Sequence, residues 1–288
     1  MLAAKPKISI VTPSFNQVAY LETTIKSVLG QGYSDLEYIV LDGGSTDGSD
    51  EILKLYGPRL TFWTCEADDG QADAINRGFA MATGDILGWL NSDDFYLPHT
   101  LSLIASQIDT DIPEIIFGNC VHIDESSGKA WGSSVPSEAE SSSLELRDFI
   151  IQPSTFWTRR AWEAVGPLDT KLRFAFDWDW FVRAKRAHVQ FTPVGEYLST
   201  YRIHSAHKSG TGGSARLDEL ISILNRYAGS KYGRALMKLD RARSRVESMR
   251  RWIHRFRLQP YEGEILKVLA PGLFGKLAPA EIKEIIRI

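Results

Sequence analysis

The sequence predicts an α/β protein with a mostly parallel central sheet flanked by helices and a C-terminal helical extension. Three observations carry that expectation. Between residues 7 and 90, short apolar runs alternate with helix-length amphipathic segments, the pattern of parallel strands joined by helical crossovers. Acidic residues follow successive runs. Tyr38-Ile-Val-Leu41 leads into Asp42-Gly-Gly-Ser-Thr-Asp47, residues 60–64 into Glu66 and Asp68-Asp69-Gly70, and Ile86-Leu-Gly-Trp-Leu90 into Asn91-Ser92-Asp93-Asp94. Ligands bind at strand carboxyl ends in an open α/β sheet, so these acids converge on one crevice. Beyond residue 215 the pattern is almost wholly helical, which separates a main domain, 1–215, from a basic amphipathic extension, 216–288.

Each element follows from its own pattern. Residues 8–12 read as the first strand, ending in the loop Pro13-Ser-Phe-Asn16. Leu21, Ile25, Val28 and Leu29 recur at helical spacing, and Gly30 or Gly32 supplies the stop. Residues 36–41 form the second strand, 50–55 a short helix, and 60–64 the third strand. Residues 71–81 form a helix with Ala72, Ile75 and Phe79 on one side, and 86–90 the fourth strand. Further on, 98–106 is helical, and 114–119 and 121–124 are strands before a turn at 126–129. The polar run 133–143 is a loop. A strand at 154–158, a helix at 160–165, an aromatic-rich helix at 176–187 and a strand at 196–201 complete the domain. Residues 205–214 are polar and glycine-rich, and are expected to be a mobile loop.

The formal net charge is −3. Between Lys231 and Arg257, however, ten basic residues face two acids, Asp240 and Glu247, so the remainder is distinctly acidic. That balance argues against nucleic acid as a partner of the main body. Cys65 and Cys120 share no CxxC spacing, which suggests neither a disulfide framework nor a zinc site. Met1 is followed almost directly by the first strand, and no apolar run reaches the ~18 residues of a membrane span. A cytoplasmic protein is expected.

In the extension, Ala235, Leu239, Ala242, Val246, Met249, Ile253 and Phe256 follow a 4-3 spacing. One long amphipathic helix is expected, packed on the main domain or on a second copy as a homodimer. Arg234, Lys238, Arg241 and Arg245 on another face make peripheral contact with an anionic membrane the alternative.

Paired carboxylates at a sheet rim are hard oxygen ligands for a divalent cation that clamps phosphates. Asp93 and Asp94 repel each other unless a cation or hydrogen bonds satisfy them. Asp42 is placed to accept a pyrimidine N–H while Gly43 and Gly44 admit the ligand; the alternative is a helix cap, a task that Ser45, Thr46 and Asp47 already fill. Glu66 and the turn Asp68-Asp69-Gly70-Gln71 face a ligand or form a solvated acidic loop. Asp177 and Asp179 open the aromatic-rich helix, where one is a candidate general base and both complement the helix dipole. His204 is a candidate metal ligand or phosphate contact. The set reads as a metal-dependent enzyme acting on a nucleotide-activated substrate.

The ordered segments Ser9-Ile-Val-Thr-Pro-Ser-Phe-Asn16, Val40-Leu-Asp-Gly-Gly-Ser-Thr-Asp-Gly48, Glu66 with Asp69-Gly-Gln-Ala-Asp-Ala-Ile-Asn-Arg-Gly78, residues 84–94, Gln152-Pro-Ser-Thr155, Asp177-Trp-Asp179 and Tyr201-Arg-Ile-His204 resemble glycosyltransferase family 2, the inverting GT-A transferases. The resemblance covers roughly residues 7–210 and implies a GT-A fold. It also implies a nucleotide pocket of Thr12, Pro13, Ser14 and Asn16, with Asp42 reading the base and Glu66, Ala74 and Arg77 nearby. Asp93 would sit near the ribose or metal, and Asp94, with His204, would coordinate Mn²⁺ or Mg²⁺. Asp177 aligns with the family's base although Phe176 stands where that family has Glu, so Asp179 is the second candidate. Arg202, His207 and Lys208 would meet the diphosphate as a lid, and Gln152 and Trp178 would lie on the acceptor side. The Gln-x-x-Arg-Trp signature of processive synthases is missing. The implied reaction is therefore transfer of one hexosyl or N-acetylhexosaminyl unit from a nucleotide sugar, UDP-linked by resemblance, to a glycan or lipid-linked acceptor of bacterial surface polysaccharide.

Two other classes compete. A nucleotidyltransferase would show an N-terminal glycine-rich loop with a basic residue, and Pro13-Ser-Phe-Asn16 has neither. A non-catalytic nucleotide-sugar binding module would lack one of the expected acids, and all are present.

Overall fold

The computed structural model describes residues 5–133, 135 and 144–288. The chain forms two compact units, residues 1–139 with 150–211, and residues 140–149 with 212–288.

The first unit is built on a nine-stranded sheet. Its parallel half has the order β3-β2-β1-β4, from β1 (Ile8–Ser14), β2 (Leu36–Asp42), β3 (Phe62–Cys65) and β4 (Ile86–Trp89). Helices α1 (Val18–Leu29), α2 (Ser49–Tyr56) and α3 (Gln71–Met81) are the connections. Every residue of β1 is buried, as a parallel strand covered on both faces requires. The α3 helix packs closely on it, since a Cβ at Gly78 would come within 2.5 Å of Val11 Cγ1. At the amino ends of β1 and β2, the buried Glu37 carboxylate accepts hydrogen bonds from Ser9 Oγ (2.5 Å), Thr83 N (2.7 Å) and Thr83 Oγ1 (2.8 Å). Lys7 Nζ adds an ion pair at 3.2 Å.

The other half is mixed. It comprises β5 (Phe95–Tyr96), α4 (Thr100–Gln107), β6 (Glu114–Asp124), β7 (Lys129–Ser133), β8 (Thr155–Thr158), α5 (Arg159–Val165), α6 (Phe176–Arg186), β9 (Gln190–Ile203) and the short α7 (Lys208–Thr211). Strand β8 joins β4 and β6 antiparallel, β9 runs parallel to β6, and β5 and β7 pair antiparallel with β9 and β6. β6 is one strand where hydropathy suggests two, because a register shift around 117–120 absorbs the irregularity without ending the ladder. β9 begins at Gln190, well before the apolar run at 196–201. Residues 208–211, expected in a loop, form a helical turn, with Gly210 N donating to His207 O. The polar run 133–143 lies outside the described residues apart from Ser133 and Val135.

Aromatic rings fill the core between β4, β8 and the helices. Trp157 lies 5.3 Å from Trp89, 5.6 Å from Phe79 and 4.9 Å from Trp180, measured between ring centroids. Trp178 and Trp180 are fully buried.

The second unit contains α8 (Gly213–Tyr227), α9 (Ser230–Arg241), α10 (Arg243–Arg255), α11 (Glu262–Leu269), α12 (Pro271–Phe274) and α13 (Pro279–Ile285). The single long helix expected over 235–256 is two helices, broken at Ala242 (φ −108°, ψ 15°). The seam residues Ala235, Leu239, Val246 and Ile253 are buried, on helices that pack against α8 and α11–α13. That seam is therefore used within its own unit, whereas Phe256 is exposed. Arg147 joins the described residues 144–149 to this unit through Glu284 at 2.7 Å. Among the described residues, no helix is long and apolar enough to cross a membrane.

Candidate active site

The carboxyl ends of the parallel strands open into a cavity of about 1110 Å³. Pro13 and Ser14 at the end of β1, Gly43 after β2, Asp68 to Gln71 at the start of α3, and Asn91 to Asp93 after β4 contribute to its wall. Gln152, Asp177, Tyr201, His207 and Lys208 complete it. Each parallel strand ends on the same side of the sheet, so residues distant in sequence meet there.

Among the described residues, Ser14 Oγ has no hydrogen-bond partner although it is buried in this wall. Such a hydroxyl is costly unless something binds it. Thr12 stands behind the wall, fully buried, with Oγ1 3.0 Å from Tyr38 Oη. Asn16 adopts a left-handed backbone (φ 52°), which Asn tolerates. It clamps the β1 loop to the β2 loop by donating N–H to Ser45 Oγ (2.6 Å) and accepting from Thr46 N (3.0 Å).

Asp42 has a different place from the one expected of a base-reading carboxylate. It is 1% exposed, and Oδ1 accepts from Gly44 N (3.1 Å) and Ser45 N (2.7 Å) while Oδ2 accepts from Ser45 Oγ (2.7 Å). These bonds organise the loop. Glu66 and Arg77 are exposed, Ala74 is buried within α3, and none of the three belongs to the cavity wall. Arg77 lies 3.8 Å from Asp73.

The adjacent acids divide. Asp93 lines the cavity, and its Oδ2 lies 3.1 Å from His204 Nε2. Asp94 is 1% exposed and lies behind it, accepting from Arg202 N (3.0 Å) and, at 3.4 Å, from Asn91 Nδ2. Burial, and then the neighbouring Asp93 carboxylate, push Asp94 well above the ordinary carboxylate range, against those two donors. Arg202 contributes its backbone here. Its guanidinium sits over the rings of Tyr20 (4.7 Å) and Phe95 (5.4 Å) and pairs with Glu125 at 3.6 Å, outside the cavity wall.

Asp93 and His204 fit a divalent cation. Two cis ligands of an octahedral ion with bonds of about 2.1 Å stand about 3.0 Å apart, and these two atoms stand 3.1 Å apart. Among the described residues no group of three or more His, Cys, Asp or Glu side chains could hold a metal. Mg²⁺-like ions commonly take one or two carboxylates and complete their shell with water and substrate phosphate.

Lys208 begins a chain of hydrogen bonds across the wall. Its Nζ donates to Gln71 Oε1 (2.7 Å), Gln71 Nε2 to Asn91 Oδ1 (2.7 Å), Asn91 Nδ2 to Gln152 Oε1 (3.3 Å), and Gln152 Nε2 to Trp89 O (2.8 Å). Gln71 and Asn91 stand inside recognisable segments, yet their role is legible only once the amides are seen to align. His122 is a further wall residue that no local motif marks as a site, and Tyr201, another, opens the Tyr201–His204 segment without a role of its own there.

On α6 the two acids separate by one step of the helix. Asp177 lines the cavity, and its Oδ1 accepts from Trp178 N at 2.8 Å. Asp179 is 1% exposed and forms a 2.9 Å ion pair with Arg183, which in turn donates to the carbonyls of Val165 and Pro167. The second candidate for the base is thus a buried structural carboxylate. Trp178, expected on the acceptor side, is buried and absent from the cavity wall.

Residues 9–164 match the family described as glycosyl transferase family 2. The chain belongs to glycosyltransferase family 2. An uncharacterized glycosyltransferase of Nostoc sp. is 30% identical over 234 residues, 74% of this chain and 70% of the relative. The PGL/p-HBAD biosynthesis glycosyltransferase of Mycobacterium tuberculosis is 30% identical over 185 residues, 62% of this chain and 70% of that protein. Among solved structures, residues 1–349 of S. aureus TarS in complex with UDP-GlcNAc superpose with a TM-score of 0.59 at 17% identity, covering 79% of this chain and 70% of that one. The mannosyltransferase PcManGT from Pyrobaculum calidifontis, in complex with GDP-Man and Mn²⁺, gives 0.59 at 14% identity, covering 98% of this chain and 86% of that one. The family-2 chain shares the GT-A fold of these transferases.

Proposed function

We propose that this glycosyltransferase moves a single sugar, with inversion, from a nucleotide-diphosphate sugar to a hydroxyl of a glycan or glycolipid acceptor. The observation that carries the reading is one cavity with both Asp93, paired with His204, and Asp177 in its wall. UDP is the first candidate carrier, and GDP and dTDP are the others.

Asp93 and His204 would hold Mn²⁺ or Mg²⁺, which when bound supplies positive charge against the departing diphosphate. Asp94 supports them from behind through the backbone of Arg202 and the Asn91 amide. Ser14 Oγ and Lys208 Nζ are among the wall groups with polar hydrogens for the donor, and the His207–Lys208 turn screens it from water. Asp177 takes the proton of the acceptor hydroxyl as its oxygen bonds to the anomeric carbon. The bond from that carbon to the diphosphate oxygen breaks, and the diphosphate leaves with the electron pair.

A panel of UDP, GDP, dTDP and ATP, each with and without Mn²⁺, tests the donor by thermal shift, since a ligand of the folded state raises its melting temperature. Metal-dependent stabilisation by one of the first three nucleotides is expected. A flat panel from folded protein overturns the donor reading.

The acceptor side would lie at a bacterial surface polysaccharide growing on a lipid carrier. Trp252 on α10 and Phe256 just after it, both exposed with ring centroids 5.1 Å apart and with Arg251 and Arg255 beside them, support peripheral membrane contact. Sedimentation with phosphatidylglycerol vesicles should fall in the Trp252→Ala/Phe256→Ala variant, and equal sedimentation would remove that contact.

A further inference from the structure

We infer that Trp131, backed by His122, is an acceptor subsite that stacks on the apolar face of a neutral pyranose ring. The inference rests on the glycosyltransferase reading of the cavity and names the acceptor chemistry that this cavity takes.

The strand register makes the subsite. His122 on β6 stands opposite Trp131 on β7 and opposite Tyr201 on β9. Directly opposed residues share one face of a sheet, so the three rings form a row across three strands. The Trp131 and His122 rings lie 5.5 Å apart and 8° from parallel, and His122 and Tyr201 lie 5.6 Å apart. His122 and Tyr201 line the cavity, whereas Trp131 is 46% exposed. The row therefore leads from the outer strand into the cavity.

A single exposed aromatic is ordinary on a protein surface; what sets Trp131 apart is its place at the outer end of a row of rings that enters the cavity. Trp89, Trp157, Trp178 and Trp180 are fully buried, whereas Trp131 presents exposed ring surface at the outer end of the row. Hydrogen-bonding groups accompany the flat surface, with His122 Nε2 2.8 Å from Ser133 Oγ. Burial holds the His122 pKa below its ordinary value, so the imidazole is neutral at pH 7. An uncharged aromatic row with polar edges matches a pyranose, which presents C–H groups on one face and hydroxyls at its rim.

Saturation-transfer NMR on the UDP- and Mn²⁺-loaded protein, with chitobiose, cellobiose, maltose and mannobiose as probes, tests this. At least one disaccharide should receive saturation, Trp131→Ala should weaken it about tenfold, and Trp131→Phe should retain most of it. The nucleotide thermal shift should be the same in all three proteins. Equal affinity in Trp131→Ala, no saturation of any of the four probes, or loss of the UDP shift in Trp131→Ala would each overturn the subsite. Lack of a nucleotide shift in the unaltered protein would instead sink the donor reading, and the disaccharide measurement repeated without nucleotide still decides the subsite.

Discussion

The carboxylate of Asp93 and the imidazole of His204 meet at 3.1 Å although 111 residues separate them. Strand β4 delivers the first and the end of β9 the second. Asp93→Asn and His204→Ala should each remove the Mn²⁺-dependent part of nucleotide stabilisation, with metal affinity reduced roughly 10- to 100-fold or more. A Mn²⁺ titration followed by thermal shift checks this, and unchanged half-saturation in both variants would place the cation elsewhere.

Asp177 and Asp179 should fail in different ways. Asp177→Asn keeps the melting temperature and nucleotide binding but loses turnover, by at least about 100-fold if it is the base. Asp179→Asn leaves Arg183 without its buried partner and costs stability, about 3 kcal/mol. Denaturant melts beside a nucleotide-release assay separate the two. Full turnover in Asp177→Asn would refute the base assignment while leaving the transferase fold intact.

Lys208 is held on Gln71 by a 2.7 Å hydrogen bond. If it transfers that bond to the diphosphate, Lys208→Met lowers nucleotide affinity roughly tenfold or more, as loss of a charge-assisted hydrogen bond does. Isothermal titration with UDP measures it. Equal affinity would leave Lys208 as a wall residue alone.

Glu37 ties stability to acid. Burial opposes its charge, but hydrogen bonds from Ser9 and Thr83, with Lys7, outweigh burial and hold its carboxyl below the ordinary value. A carboxyl depressed in the folded state stabilises fully above its unfolded pKa, about 4.3, and that stability is lost as pH falls through the folded value. Glu37→Gln should therefore be less stable than the unaltered protein at pH 7, with a gap that narrows below about pH 4. Urea melts across pH 3–7 read the gap, and a constant difference would count against the linkage.

Gly78→Ala tests the seat of α3 on β1. The added Cβ would come within 2.5 Å of Val11 Cγ1, a branched buried side chain that has little room to yield. A loss of about 1–3 kcal/mol is expected, measured by denaturant melts. No loss would mean that helix and strand can separate without penalty.

Much of the first unit was legible in the sequence because its parallel strands are local patterns. Residues 71–81 are helical from end to end, as their apolar spacing requires, and β1, β2 and β4 end within about two residues of their apolar runs. The acids after those strands also announced the crevice, since topology puts every parallel strand's carboxyl end on one side.

Which acid faces the cavity was not legible from local pattern, although the resemblance ranked Asp177 before Asp179. Asp93 and Asp94 are neighbours, as are Asp177 and Asp179 within one helical turn, and only packing decides which member each pair buries. The break at Ala242 and the Trp131–His122–Tyr201 row depend on how helices share a core and how strands align. Local pattern determined which elements form and where the polar rim lies, because periodicity and turn chemistry act over a few residues. Tertiary structure decided which side chain reaches the cavity, because register and burial are settled between residues that the chain keeps far apart.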